Sequence, residues 1–195
     1  MYYLDELLIW EGKFMEILET DRLILRGWKE CDLYDFYEYA KEPGVGPAAG
    51  WKPHENIEES QRILNDFIKK RQVWAIVLKE NDKVIGSIGL HDDEKRRLDN
   101  AKMMGYVLSK DYWGQGLMTE AAKRVVKYVF EDMKIDVLSI YHYPFNKASK
   151  RVIEKCNFKF DGILRCATKR FDGIIFDDYC YSILKNEYFK KDNSI

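Results

Sequence analysis

In the stretch SKDYWGQGLMTEAAKRVV, Gly114 and Gly116 bracket Gln115 immediately before a run of helical periodicity. A helix start carries unpaired main-chain N–H groups and the positive end of the helix dipole, which together attract anions. Glycines there let an anion approach the main chain, so the spacing suits a phosphate-bearing ligand. It suits equally a tight turn that binds nothing. Two other phosphate motifs are absent: there is no G-x-x-x-x-G-K-[ST], and the pair lacks the third glycine and early βαβ position of a dinucleotide fingerprint. Other reactive residue types are sparse. Cys31, Cys156, Cys166 and Cys180 show neither C-x-x-C nor metal-ligand spacing, which reads as buried free thiols in a reducing compartment. Cys156, on an apolar helix face, reads as a core thiol rather than a nucleophile.

Periodicity shows which elements must position the glycine turn. ETDRLILRGWK alternates as a strand, and CDLYDFYEYA follows at helical spacing behind a candidate Asp32 cap. The Gly- and Pro-dense KEPGVGPAAGWKPH excludes a regular element over most of its length. Residues 57–70 repeat the helical pattern, VWAIVL and KVIGSIGL read as strands around the turn KENDK, and beyond the connector DDEKRRLDN a third strand, AKMMGYVLS, runs into the glycine turn. The helix after the turn has two adjacent apolar rows, Leu117, Ala121, Val125, Val129, Met133 and Met118, Ala122, Val126, Phe130, so it lies on a sheet. Strand VLSIYHY, helix ASKRVIEKC, strand FKFDGILRCA, turn RFDG and strand IIFDDYCYSIL complete the chain, and the polar KNEYFKKDNSI is expected to fray. The architecture is α+β, with a mixed, largely antiparallel sheet.

Composition bounds the function. A chain of 195 residues is long enough for one domain with a real core. A net charge of −1 offers no general attraction to nucleic acid or an anionic membrane. No apolar run approaches the ~18 residues that span a bilayer, and residues 1–14 carry acidic side chains where a signal peptide would carry basic ones, so a cytoplasmic location is expected. Residues 1–14 read as an added amphipathic segment: a packed extension, an oligomer contact and a mis-assigned start all remain open.

MMGYVLSKDYWGQGLMTEAAKRVVKYVFEDM, followed by FNKASKRVIEKCNFKFDGILR, resembles the GNAT superfamily of N-acetyltransferases, and within it the Rim-type branch of ribosomal-protein N-terminal acetyltransferases. The likeness spans roughly residues 19–187, from ETDRLILR to DGIIFDDYCYSIL. It implies a GNAT domain over 15–187, preceded by the extension 1–14 and followed by a polar tail 188–195. The implied fold is a central V-shaped mixed sheet of about seven strands flanked by helices, with acetyl-CoA in the splay between the family's fourth and fifth strands. The CoA pyrophosphate then maps onto Trp113, Gly114, Gln115, Gly116, Leu117, Met118 and Thr119. The preceding Tyr106, Val107, Leu108 and Ser109 are implied to carry a β-bulge that opens the sheet for pantetheine, with an N–H of Val107 or Leu108, chiefly Leu108, as oxyanion donor.

Departures from the family pattern shape the expected chemistry. Against [QR]-x-x-G-x-[GA], this chain has Trp113 first, as the Rim-type branch often does, and Met118 last. The general-acid tyrosine found in many GNAT enzymes, seven residues after the asparagine Asn146, falls on Ile153. By the resemblance, Asn146 and Ser149 of NKAS contact the cofactor, and Ser149 is the candidate proton donor to the leaving sulfur; a helix-start hydroxyl bonded to backbone or phosphate is the competing reading. The branch's carboxylate two residues before the GY pair is Met103 here. His142 and His91 are candidate bases, although either type of residue is more often structural, and a water-relayed base is the default. A weak base favours an α-amino group (~7.7 to 8.0), about a tenth neutral at pH 7, over lysine (~10.4).

Trp51, His54 and His91 are expected to line the acceptor pocket, with Asp92, Asp93 and Glu94 of the connector as candidates to attract a cation. The leading reading is therefore an acetyl-CoA-dependent acyltransferase acting by direct attack on the thioester, with no metal. Its acceptor is a protein N-terminus or a small-molecule amine, and homodimers are common among relatives. The alternatives are a non-catalytic acyl-CoA-binding or regulatory module, and an NAD-binding oxidoreductase, which the missing fingerprint disfavours.

Overall fold

A computed structural model of the protein describes residues 15–96 and 98–190; the extension 1–14 lies outside the described residues, as do 97 and 191–195. Eight strands, β1 Leu18–Glu19, β2 Leu23–Arg26, β3 Val73–Leu78, β4 Lys83–Asp92, β5 Ala101–Leu108, β6 Val137–His142, β7 Lys159–Lys169 and β8 Ile175–Leu184, form one sheet in the order β1-β2-β3-β4-β5-β6-β8-β7. The helices are α1 Leu33–Ala40, α2 Gly46–Ala49, α3 Ile57–Lys70, α4 Leu117–Glu131, α5 Lys147–Lys155 and α6 Lys185–Lys190.

Every strand pair is antiparallel except β5 with β6. That parallel step needs a crossover, and α4 supplies it. β5 and β6 pair only from Ala101↔Val137 to Met103↔Ser139, after which the strands part. The sheet is therefore V-shaped, with its opening on the C-terminal side of Met103. The regular pairing of β5 with β4 continues throughout, so the parting leaves one edge of β5 free.

Each face of the sheet has its own core. Ala121, Val125 and Val129 of α4 pack with Met104, Leu108, Leu138 and Ile140 on one side, while Phe36, Tyr39 and Leu64 of α1 and α3 pack with Ala75, Val77 and Val84 on the other. Both apolar rows of α4 are buried from Leu117 to Phe130, while Met133, placed in the first row by spacing, lies past the helix end and is only partly buried.

Four local expectations need correction. Asp32 makes no side-chain cap to α1; its carboxylate is bound by Arg26 at 2.7 and 2.8 Å and accepts the Lys29 N–H at 2.8 Å. The segment 185–190 does not fray but forms α6, because Tyr188 stacks on Phe130 at 4.9 Å and donates to Glu131 at 2.7 Å. Cys31 and Cys166 are exposed rather than buried. Finally, β4 and β5 keep one register from Gly86↔Leu108 to Asp92↔Lys102, so the expected bulge in Tyr106–Ser109 is absent. The register shift falls between β3 and β4, at Ile76/Val77, and the sheet opens because β6 leaves β5, not because β5 bends away from β4.

Candidate active site

β5 ends at Leu108, a 3-10 turn over Lys110–Tyr112 reverses the chain, and α4 starts at Leu117. Gly114 and Gly116 have φ of 78° and 79°, the left-handed region that other residues reach only with strain. Nothing crowds a Cβ at Gly114, so conformation rather than space requires glycine there. Gly116 is the N-cap of α4 and no side chain caps this end. Glu120 N–H donates to Gly116 O as the first helical bond, leaving the N–H groups of Leu117, Met118 and Thr119 without a helical acceptor.

The turn is locked from behind. Trp113 donates its indole N–H to Leu108 O at 2.8 Å, and Gln115 O accepts from Arg22 Nη1 at 3.1 Å. Glu120 accepts from Thr20 Oγ1 at 2.6 Å, from the Arg22 main chain at 3.0 Å and from Arg22 Nε at 2.7 Å. Burial opposes the Glu120 charge, but these hydrogen bonds outweigh it and hold the carboxyl below its ordinary value. The start of α4 is thus fastened to the turn between β1 and β2, with its free N–H groups toward the opening of the V. The Gln115 amide donates to Asp111 O at 3.2 Å and serves the turn rather than the cleft.

A cleft of about 600 Å³ fills that opening, lined by β5 from Met103 to Leu108, by β6 from Ile140 and by the starts of α4 and α5. Ser109 N–H donates to Ile85 O at 2.8 Å. In a ladder of constant register the hydrogen-bonding direction alternates, so Val107 also faces β4, whereas the N–H and C=O of Tyr106 and Leu108 face the cleft. The bond from Trp113 to Leu108 O agrees with this parity. Of the Val107 and Leu108 N–H groups, that of Leu108 faces the cleft and that of Val107 faces β4.

Ser149 lies on the first turn of α5, across the opening from β5. Asn146 caps α5, its Oδ1 accepting the Ser149 N–H at 3.0 Å, and its Nδ2 donates to Ala48 O at 3.0 Å. Asn146 therefore ties α5 to α2, with both ends of its amide engaged. The Ser149 hydroxyl lies 3.0 Å from the Tyr106 phenol. Burial pushes that phenol well above its ordinary value. Ile153, where the family tyrosine is absent, is buried in the core.

The histidines divide. His142 lines the cleft, but its Nδ1 lies 2.8 Å from Tyr143 O, its Nε2 3.5 Å from Tyr181 OH, and its ring packs beside Tyr179 and Tyr181. His54 is buried, 2.7 Å from Ser60 Oγ and edge-on to Phe36, and burial lowers its pKa. Neither His54, Trp51 nor His91 reaches the cleft; Val45, Ala48 and Ala49 are the parts of that loop that do. Trp51 packs on His54 and lies so close to Gly46 that a Cβ there would meet its ring at 2.5 Å. In the connector, Asp92 pairs with Lys102 at 2.5 Å in solvent and Asp93 accepts from Tyr141 OH at 2.5 Å, so neither offers a free carboxylate. The cleft carboxylate is Asp178 of β8, which sequence reading missed together with Lys95 and the Tyr106 phenol. An acidic pair inside an otherwise apolar strand, IIFDDYCYSIL, was the available signal for Asp178.

The family model described as "Acetyltransferase (GNAT) domain" matches residues 22–159. The "Uncharacterized N-acetyltransferase YoaA" of Bacillus subtilis (strain 168) is 30% identical over 176 residues, covering 87% of this chain and 97% of its own. The "[Ribosomal protein uS5]-alanine N-acetyltransferase" of Escherichia coli (strain K12) is 23% identical over 159 residues, covering 74% and 79%. A GNAT-family acetyltransferase of Bacillus anthracis has the same fold, with a TM-score of 0.80 at 22% identity over 88% of this chain and 100% of that one. With most of its length matched by the family model and its glycine turn at the mouth of a splayed sheet, the chain belongs to the GNAT acetyltransferases, acyltransferases that use acetyl-CoA.

Proposed function

We propose that the protein transfers the acetyl group of acetyl-CoA to a primary amine by direct attack of the amine on the thioester. The observation that carries this reading is the convergence on one cleft of three groups: the uncapped start of α4, the outward Leu108 N–H, and the Ser149–Tyr106 hydroxyl pair. Acetyl-CoA, when bound, supplies an acyl group already activated as a thioester. The N–H groups of Leu117, Met118 and Thr119 would hold its pyrophosphate, with Gly114 and Gly116 keeping the turn open to it. The free edge of β5 would hold the pantetheine arm by strand-like pairing.

Each remaining residue has a distinct task. Leu108 N–H donates to the carbonyl oxygen as negative charge develops on it. Ser149 donates a hydrogen bond to the leaving sulfur, and the proton shed by the attacking nitrogen is the one that ends, through water, on the thiolate. The Tyr106 phenol also lies 3.3 Å from Ser149 O; when it donates instead to Ser149 Oγ, the serine hydrogen is free to point into the cleft. The raised Tyr106 phenol is a poor net acid toward a thiolate (~8.5 for a free thiol), so its work is to orient Ser149. His142, with both ring nitrogens engaged, shapes the wall. With Asp178 paired to Lys95 and both nitrogens of His142 engaged, the described residues set no unpaired base beside the amine, so acceptors already partly neutral near pH 7 are favoured, α-amino groups above lysine side chains.

The test is free-thiol release from acetyl-CoA against peptides beginning with Ala, Ser or Met, a polyamine and an aminoglycoside. Release that depends on one acceptor class supports transfer and names the class. Saturable CoA binding with no release from any acceptor supports the binding-module alternative instead.

A further inference from the structure

The cleft holds a second group of polar side chains that donor binding does not use. Asp178 is only 4% exposed, yet it lines the cleft. Its Oδ2 accepts from Lys95 Nζ at 2.6 Å and from Thr168 Oγ1 at 2.9 Å. Among the described residues Oδ1 accepts no hydrogen bond. The same Lys95 Nζ sits 4.6 Å over the centroid of the Tyr141 ring, which the bond from Tyr141 OH to Asp93 fixes in place. A buried carboxylate, an aromatic face and a hydroxyl steadying the carboxylate make a binding site for an ammonium ion. Lys95 supplies that ion from within the chain.

Two features separate this arrangement from an ordinary ion pair. Tyr179 and Tyr181, the odd-numbered neighbours on β8, belong to the core on the α4 side, so Asp178 points to the opposite side of the sheet. It therefore faces the half of the cleft that the α4 turn leaves free. Lys95 also belongs to the connector between β4 and β5, and its side chain is 28% exposed, so it has a route into water without disturbing either strand.

We infer that Asp178 anchors a primary ammonium group of the acceptor, and that Lys95 holds this position until the acceptor displaces it. This deepens the acetyl-transfer reading, on which it rests, by naming the recognised group as a cation. The chemistry is shared by an alkyl diamine, whose second amine attacks while the first stays held, and a peptide N-terminus, which sheds its proton to water before it attacks.

Calorimetric titrations of the full chain, its Lys95→Met variant and its Asp178→Asn variant, each saturated with CoA, would use 1,4-diaminobutane in one arm and Ala-Ala-Ala amide in the other. Removing a competitor and removing an anchor have opposite signs. Lys95→Met binds the amine several-fold more tightly than the parent, and Asp178→Asn binds it about tenfold or more weakly. The arm with the tighter binding names the source of the ammonium. Equal affinities in all three proteins, binding by none of them, or parallel loss of binding and of melting temperature in both variants, as a purely structural bridge would give, overturns the inference. CoA titrated alone into the parent keeps the two readings apart: its failure to bind overturns the donor reading, whereas its binding with no effect of either substitution overturns only this one.

Discussion

The phenol of Tyr106, on β5, lies 3.0 Å from the hydroxyl of Ser149, on the first turn of α5, so the two sides of the open sheet meet at one pair of hydroxyls. The pair is 43 residues apart in the chain and spans the gap that β6 leaves when it parts from β5. Both residues line the cleft, and in the proposed reaction Ser149 meets the ligand while Tyr106 orients it.

Tyr106→Phe keeps the ring and removes only the hydroxyl. Its kcat for acetyl transfer falls by about two- to tenfold, the worth of one net hydrogen bond, while KM for acetyl-CoA is unchanged. Ser149→Ala loses more, and the double variant loses no more than Ser149→Ala alone, because Tyr106 acts through Ser149. Additive losses in steady-state kinetics would show that the two hydroxyls work separately.

The Glu120 carboxylate gives the fold a defined acid sensitivity. Burial acts against its charge, but the bonds from Thr20 and Arg22 hold it below the ordinary value of 4.5. A carboxyl depressed in the folded state contributes stability above its unfolded value and loses that contribution as pH falls through its folded value. Melting temperatures of the parent and Glu120→Gln should therefore differ most near pH 7 and converge as the pH falls below the ordinary carboxylate value of 4.5. A gap that stays constant across this range would mean that the charge of Glu120 is not what fastens α4 to the β1–β2 turn.

Thiol reactivity follows burial. Burial pushes the Cys156 thiol up to about 11, while Cys31 and Cys166 are exposed. Iodoacetamide at about pH 8 should label Cys31 and Cys166 in the native protein and reach Cys156 only after denaturation, as peptide mass mapping can read. Fast native labelling of Cys156 would contradict its buried place at the C-terminal end of α5.

Much of this fold is written locally. α3 covers 57–70 as its periodicity demands, and VWAIVL is a strand from end to end, because burial of one stripe or of a whole short run is a property of neighbouring residues. The glycine turn is legible for a similar reason: only glycine reaches a φ near 79° without strain, and a helix start follows at once. What depends on distant partners is not legible. Trp51 and His54 look like pocket walls in a loop rich in Gly and Pro, yet they are held inward by Phe36, Ser60 and each other. α6 exists because Tyr188 finds Phe130, a contact that the polar composition of the tail hides. The expected bulge came from family resemblance, and register belongs to a pair of strands rather than to either sequence alone. The cleft follows the same division, with the proposed donor end readable in one stretch and the proposed acceptor side assembled from β6, β8 and the β4–β5 connector.

The central claim is that the start of α4 grips acetyl-CoA, and calorimetric titration of acetyl-CoA into the parent and into Gly116→Ala tests it most directly. A Cβ at a left-handed position costs about 1–2 kcal/mol where the turn must keep its shape. The account predicts saturable one-to-one binding by the parent and at least severalfold weaker binding by the variant, with the variant still cooperatively folded. No saturable binding by the parent, or parent-like affinity in the variant, would contradict it.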